Sequence, residues 1–484
     1  VTKPVPAKRV SSAKNDQVLL LSFLSSRQFP VIFDVLERAR VPLWSKDRKE
    51  GTPIVIAGGG ACYNPEPIAD MVDVVCVGDG EDFVIGLGNC LLQKTREAKI
   101  QAMSELPGAY IPSRRKFQYE GGVFVKDSEG ETKPITPAVT SMWLRPMDIE
   151  GMQSELKITR GCKGKCFFCS MAWQLPYRER PFAEVEKYIG KESLFFHASD
   201  IGGVSYLPAI IAKMGKASKG DVRVHEFNKY PFPHNGEYSG RRLTFGIEGL
   251  SPRICKVIGK PIPEASIKEL CSRLLVGQPA HVQIYFIRGI PSEADQDWDF
   301  MESWLWKFNS DLKEATNYGC GFEAQYTPLT RQPHTPIQWA ELKYNHRSEY
   351  RAKELRSTAQ RIAVAGNKVG RTNMAPFITV SREESSWLLD TAINVGSRET
   401  VKFLWAVKNN KVKSDSPART YEIVKACGIN PDLLTAEWDT KAVLPWSHIH
   451  PLGETGAKAR LSAFQAMKKI VAMNLSTTPV TTPS

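Results

Sequence analysis

Cys162, Cys166 and Cys169 lie four and then three positions apart in Ile158-Thr-Arg-Gly-Cys-Lys-Gly-Lys-Cys-Phe-Phe-Cys-Ser170, and no fourth cysteine follows nearby. Thiolates at such spacing bind soft metals and iron–sulfur clusters. A cluster of four irons needs four ligands, so three local thiolates leave one iron free for an outside ligand. A zinc site usually brings a second pair of ligands, and none accompanies this trio. A disulfide framework belongs to small secreted domains, whereas this chain has 484 residues. Gly161 and Gly164 let the backbone curl around a metal centre, and Phe167 and Phe168 are placed to shield it from water.

The elements that must hold this loop follow from periodicity. Val18–Phe23, Pro53–Gly60 and Val72–Glu81 are apolar runs of strand length, with helical spacing at Phe29–Arg40 and a helix expected over Asp82–Thr95. Alternating strands and helices predict a Rossmann-like N-terminal domain over 17–108, after a flexible arm at 1–16. Residues 109–150 read as a linker or small β excursion. From 151 to 340 six strands are expected, at Leu156–Thr159, Leu194–Ala198, Val222–Phe227, Leu243–Ile247, Val282–Phe286 and Cys320–Tyr326. Helical segments such as Ile267–Leu275 and Gln296–Phe308 separate them. The fold class is thus α/β, with a partial (β/α)6 barrel whose chemistry sits at the strand C-termini. After Trp339 no further strand is expected. Residues 341–475 read as helical (Tyr350–Gly366, Arg382–Val395, Glu399–Asn409, Ala418–Ala426, Gly456–Met473), and 476–484 as a disordered tail.

The cysteine loop resembles that of the radical S-adenosylmethionine (radical SAM) enzymes. Leu43-Trp-Ser-Lys-Asp-Arg48, Ile54–Pro67 and Val77-Gly-Asp-Gly-Glu81 resemble the N-terminal half of a cobalamin-binding-type radical SAM family, related to methylthiotransferase-like enzymes. Leu243–Leu250, Tyr285–Glu293, Pro328–Trp339 and Leu444-Pro-Trp-Ser-His-Ile449 resemble its later motifs. The resemblance implies a [4Fe–4S] cluster on Cys162, Cys166 and Cys169, with S-adenosylmethionine chelating the open iron and yielding a 5′-deoxyadenosyl radical on reduction. It also implies that Glu248 contacts the bound nucleoside. Asp200 stands where relatives carry a Gly-Gly-Glu for the amino group; here the segment is Ser199-Asp-Ile-Gly-Gly203. Gly289, Pro291 and Glu293 form the turn that would pass adenine. Arg160, with Arg178 and Arg180, would offset the cluster's charge or hold a carboxylate.

The front domain lacks the Asp-x-His-x-x-Gly of cobalt-ligating relatives; no histidine precedes His197. Cobalamin there would have its cobalt unligated by protein. Gly58-Gly-Gly60 and Gly78-Asp-Gly80 stand at strand ends, where doubly wound sheets bind ligands; they serve equally as tight turns. Cys62, Cys76 and Cys90 read as buried thiols, with a second cluster as the alternative. His448 and His450 beside Trp446 suggest a site or a packed barrel edge.

Ten scattered cysteines, no apolar run of spanning length and no secretory leader point to a reducing cytoplasm and no membrane partner. A net charge of +12 permits an anionic partner such as RNA. The basic stretch from Lys343 to Arg361 would attract phosphates or form a mixed solvated helix. The expected function is radical modification, by methylation or methylthiolation, of an RNA or protein, with an electron donor as second partner. The alternative is a repurposed radical SAM fold serving as a structural or RNA-binding component. Oligomeric state has no sequence signal.

Overall fold

The computed structural model describes residues 17–143, 154–189, 194–214, 221–368, 374–409 and 416–477. The arm at 1–16 and residues 144–150 of the linker lie outside the described residues, as do 478–484 of the tail. Ser476 and Thr477, expected in that tail, close the last turn of the helix Gly453–Thr477.

The N-terminal sheet runs β1 (Val18–Ser22), β2 (Ile54–Gly58), β3 (Val74–Cys76), β4 (Ala109–Tyr110) in spatial order, the first three parallel and β4 antiparallel to β3. Both faces are apolar, as parallel strands require. Val55, Ala57 and Val75 face the helix Val31–Ala39, while Ile54, Ile56, Val74 and Cys76 pack with the helix Glu81–Cys90. The expected α/β character is seen in this largely parallel sheet buried on both faces. The β excursion is a hairpin, β5 (Arg115–Glu120) with β6 (Phe124–Gly130).

Beyond it come β7 (Ser154–Lys157), a ribbon of β8 (Thr159–Arg160) with β9 (Arg178–Glu179), and β10 (Leu194–His197) parallel to β7. Then β11 (Asp221–Val222), β12 (Arg242–Glu248), β13 (His281–Arg288), β14 (Gly321–Pro328) and β15 (Phe377–Val380) form one parallel sheet in that order. Two expectations are corrected. The strand foreseen over Val222–Phe227 ends at Val222, and Val224–Phe227 is a helical turn. Val224 and Phe227 are both buried, which a spacing of three satisfies on a helix and not on a strand. β15 was not foreseen after Trp339. It is a four-residue edge strand with Phe377 exposed, held by its register against β14 rather than by any strong local pattern.

The C-terminal helices share one core with the front sheet. Phe33, Tyr63 and Val75 lie in the same buried cluster as Trp387, Phe403, Trp446 and Phe464. At its centre Glu66, fully buried, accepts from the Arg398 Nε at 2.7 Å and the Tyr110 hydroxyl at 2.7 Å. His448 Nε2 stands 3.5 Å away. Burial alone would push the Glu66 carboxyl up, but Arg398, His448 and Tyr110 together hold it below the usual carboxylate range. The basic stretch is also taken up internally: Arg347 and Arg351 pair with Asp295, Asp299 and Glu302, and Lys353 with Glu349. Its charge is thereby largely neutralised. Among the described residues no helix is long and apolar enough to cross a membrane.

Arg398→Ala would leave Glu66 buried and without its counter-ion, at a cost of about 3–5 kcal/mol in unfolding free energy by denaturant titration. His448 supplies a pH test. Burial lowers it to about 4 in the fold, whereas the unfolded chain binds that proton near pH 6.5. Stability is therefore full above the unfolded value and falls as pH drops through the folded one, by roughly 3 kcal/mol. His448→Gln should flatten the unfolding midpoint between those pH values.

Candidate functional site

The cysteine loop leaves the barrel edge through the β8–β9 ribbon. Gly161 has φ +67°, and a Cβ there would stand 2.6 Å from the Pro176 carbonyl oxygen, so the returning chain requires glycine. The loop is docked at its far end by the Phe167 N–H, which donates to the Ile258 oxygen at 2.8 Å. The Phe167 ring lies where a Cβ on Gly259 (φ +65°) would come within 2.5 Å. Phe167 and Phe168 pack against the shared core. The Trp173 indole N–H donates to the Cys166 oxygen at 2.9 Å, tying the following helix Met171–Gln174 to the loop.

The three thiols are free; Cys166 is buried, Cys162 and Cys169 half-buried. Burial raises the Cys166 thiol, with Lys260 and Arg223 pulling it back down. Burial raises Cys169 to about 11, Cys166 and Cys162 adding to the rise while a backbone hydrogen bond opposes it. Arg223 Nη1 stands 3.9 Å from the Cys166 sulfur, and a Cβ on Gly164 would overlap that guanidinium. Arg223 Nε has no hydrogen-bond partner. A polyanionic thiolate cluster fits this setting, because metal binding removes the thiol protons and the nearby cations offset the charge. No three His, Cys, Asp or Glu side chains among the described residues converge on one ion; thiolates that each hold a different iron need no such convergence.

Two of the expected cofactor residues flank the loop. Glu248 closes β12 at a bulge with φ +70° and pairs with buried Lys260 at 3.2 Å. Asp200 is buried, with its Oδ2 3.9 Å from Arg223 Nε; burial raises its carboxyl and Arg223 opposes the rise. Gly289 (φ +74°) and half-buried Pro291 form the turn after β13.

Two others are engaged elsewhere. Glu293 accepts from the Gly289 and Ile290 N–H groups at 2.8 and 3.2 Å and from the Trp298 indole at 3.0 Å, so its oxygens bind the turn itself. Arg160 pairs with Asp79 at 2.7 Å and with Glu81, both from the front unit, rather than with any group of the cysteine loop. Arg178, directly opposite Arg160 in the ribbon, pairs with the other Asp79 oxygen at 2.7 Å. Arg180 donates to the Lys157 carbonyl at 3.1 Å.

Sequence reasoning did not single out Arg223 or Lys260. Arg223 falls inside the strand expected over Val222–Phe227, so its place just after β11 emerges only because that strand ends at Val222. Lys260 carried no signal, since only the fold brings it beneath Glu248. Two of the front glycines, Gly59 and Gly78, serve the chain itself. A Cβ on Gly59 (φ +96°) would stand 2.5 Å from the Phe23 oxygen, and one on Gly78 (φ +98°) would overlap Ala138. An apolar cavity of about 580 Å³ nevertheless opens at these strand ends, lined by Gly58, Gly78, Gly80 and Phe83 among others, and no histidine precedes His197 to ligate cobalt there. Cys62 lies in the shared core and Cys76 and Cys90 on the opposite face of the sheet, all buried. A polar cavity of about 150 Å³ separates the front loops from the cysteine loop, lined by Arg27, Tyr63, Asn64, Ser170 and Asp390 among others.

Asp79→Asn leaves Arg178 without its carboxylate and Arg160 with Glu81 alone, and the two arginines facing each other across the ribbon then repel. It should lower the unfolding free energy by roughly 2–3 kcal/mol and reduce iron retained per chain after anaerobic reconstitution. Unchanged melting and iron content would remove the clamp assigned to Asp79.

Comparison with known proteins places this geometry. Residues 8–112 match the family model described as "Radical SAM proteins, N-terminal". An uncharacterized protein of Methanocaldococcus jannaschii is 24% identical over 314 residues, covering 60% of this chain and 64% of its own length. An uncharacterized methyltransferase of Pyrococcus horikoshii is 29% identical over 304 residues, covering 56% of this chain and 61% of its own. The chain thus spans less than two thirds of these curated relatives. The structure of the cobalamin-dependent S-adenosylmethionine radical enzyme OxsB aligns with TM-score 0.42 and 12% identity, over 96% of this chain and 73% of that one. Residues 8–112 thus resemble the N-terminal domain of radical SAM proteins, and the three-cysteine loop follows that match in the chain.

Proposed function

We propose that this chain is a radical SAM enzyme that holds one [4Fe–4S] cluster through Cys162, Cys166 and Cys169. The observation that carries this reading is three free thiols in one loop, with Arg223 against Cys166 and Lys260 close by. When bound, the cluster and S-adenosylmethionine together supply a 5′-deoxyadenosyl radical.

The chain's own residues position and shield. Arg223 and Lys260 set the electrostatics around the thiolates, a lever on cluster potential. Glu248 and Asp200 offer carboxylates able to accept from an ammonium or ribose hydroxyls. Gly289 and Pro291 keep side chains out of the path of a flat base, and Glu293 holds that turn rigid. Phe167 and Phe168 close the loop against the core and exclude water.

The substrate is an RNA or protein, entering from the polar cavity beside Ser170, and the outcome is methylation or methylthiolation. The relative described as a methyltransferase supports the first. An external electron donor is required. Cobalamin, if bound, would sit in the cavity at the front strand ends, with its cobalt unligated by protein.

Anaerobically reconstituted chain should carry about four irons, show a thiolate-to-iron absorption band, and release 5′-deoxyadenosine when reduced with S-adenosylmethionine. Cys162→Ala, Cys166→Ala and Cys169→Ala should each abolish the release. Zinc in place of iron, or an intact cluster that never cleaves the nucleoside, would reject the proposal.

A further inference from the structure

A third cavity, of about 310 Å³, lies between the Gly453–Thr477 helix and the segments around Trp339 and Trp446. None of its lining residues is Asp or Glu, while Arg460, Lys458, His334 and His450 all line it. Arg460 is buried, and its contacts are unusual for a buried cation. Its Nη1 donates to two backbone carbonyls, of Pro451 at 3.2 Å and Trp173 at 3.5 Å, and its Nε has no partner. No carboxylate among the described residues forms an ion pair with it. Arg331, buried nearby, is better supplied: three carbonyls accept from it, and Trp438 lies 3.8 Å beneath.

The second unmade donor is the Trp339 indole N–H, also in the cavity wall. The other buried indoles donate: Trp173 to Cys166, Trp298 to Glu293, Trp387 to Leu329, Trp438 to Leu433 and Trp446 to Gln338. Buried donors are nearly always satisfied, and a buried charge is normally paired. A guanidinium without a carboxylate and with a free Nε, and an indole N–H without an acceptor, beside one aromatic-walled space without acids, define what is missing: an oxyanion on an apolar body.

We propose that this cavity binds a small organic anion, with a carboxylate or phosphate held by Arg460 and Trp339 and its apolar part against Trp446. Lys458, exposed at the rim, adds attraction for the anion. The site lies directly behind the metal-binding loop, since Arg460 reaches the Trp173 carbonyl and Trp173 holds Cys166. Neither Arg460 nor Trp339 is a cofactor residue of the proposed enzyme, so failure here leaves that reading standing.

The test is calorimetric titration of the full chain with benzoate, phenyl phosphate and the neutral isostere benzyl alcohol. At least one anion should bind one per chain, about tenfold or more tighter than the alcohol, and the preferred anion separates carboxylate from phosphate recognition. Trp339→Phe keeps the ring and loses the donor, and should weaken the anion several-fold. Arg460→Gln should abolish the preference over the alcohol. Equal affinity for anion and alcohol, or undiminished binding in Arg460→Gln, would overturn the proposal. If Arg460→Gln does not fold, unchanged anion affinity in both Trp339→Phe and the rim variant Lys458→Gln overturns it.

Discussion

The site depends on a pair of front-unit carboxylates, Asp79 above all and Glu81 beside it. Asp79 reaches from the end of the third front strand to Arg160 and Arg178, which face each other in the ribbon that opens and closes the cysteine loop. Two cations so placed would drive the ribbon apart. Asp79 turns that repulsion into a three-membered clamp and fixes both ends of the loop to the front sheet. The loop's geometry is thus set by the docking of two units as well as by its own glycines.

The same economy recurs deeper in the seam. Glu66, Arg398, Tyr110 and His448 come from four segments distant in sequence and meet around the fully buried Glu66 carboxylate. Buried charges are poor sources of net stability but severe when broken. They make the assembly specific: the front sheet docks where its carboxylates find their arginines. The apolar core around them supplies the stability, because the faces of the front sheet and the C-terminal helices are buried against each other.

Around the thiols the charges have a different arrangement. Arg223 and Lys260 stand close to Cys166, each also matched to a carboxylate, Asp200 and Glu248 respectively. Such alternating pairs suit a place where negative charge is added on loading. The cations are already oriented, and the acids keep them from straying while the thiols are protonated. In the cavity behind the loop, by contrast, Arg460 has no acid to restrain it, and that contrast sets the two sites apart.

Local pattern was enough for much of this. The spacing of Cys162, Cys166 and Cys169 pointed to the iron–sulfur reading, because ligand count and separation are properties of a short stretch. Apolar runs of strand length located the front sheet and most barrel strands, because parallel strands are buried on both faces. The sequence was silent wherever the deciding partner lay far along the chain. Arg160 looked like a cluster residue because it adjoins Cys162, yet long-range docking hands it to Asp79 and Glu81. Glu293 looked free to meet a cofactor, and the turn it follows takes its oxygens. β15 is too short to show itself until β14 offers a register. Residue type and spacing determine which reactions are open to a chain; only packing decides which charges are left to take part, because pairing and burial are set between segments that no local window contains.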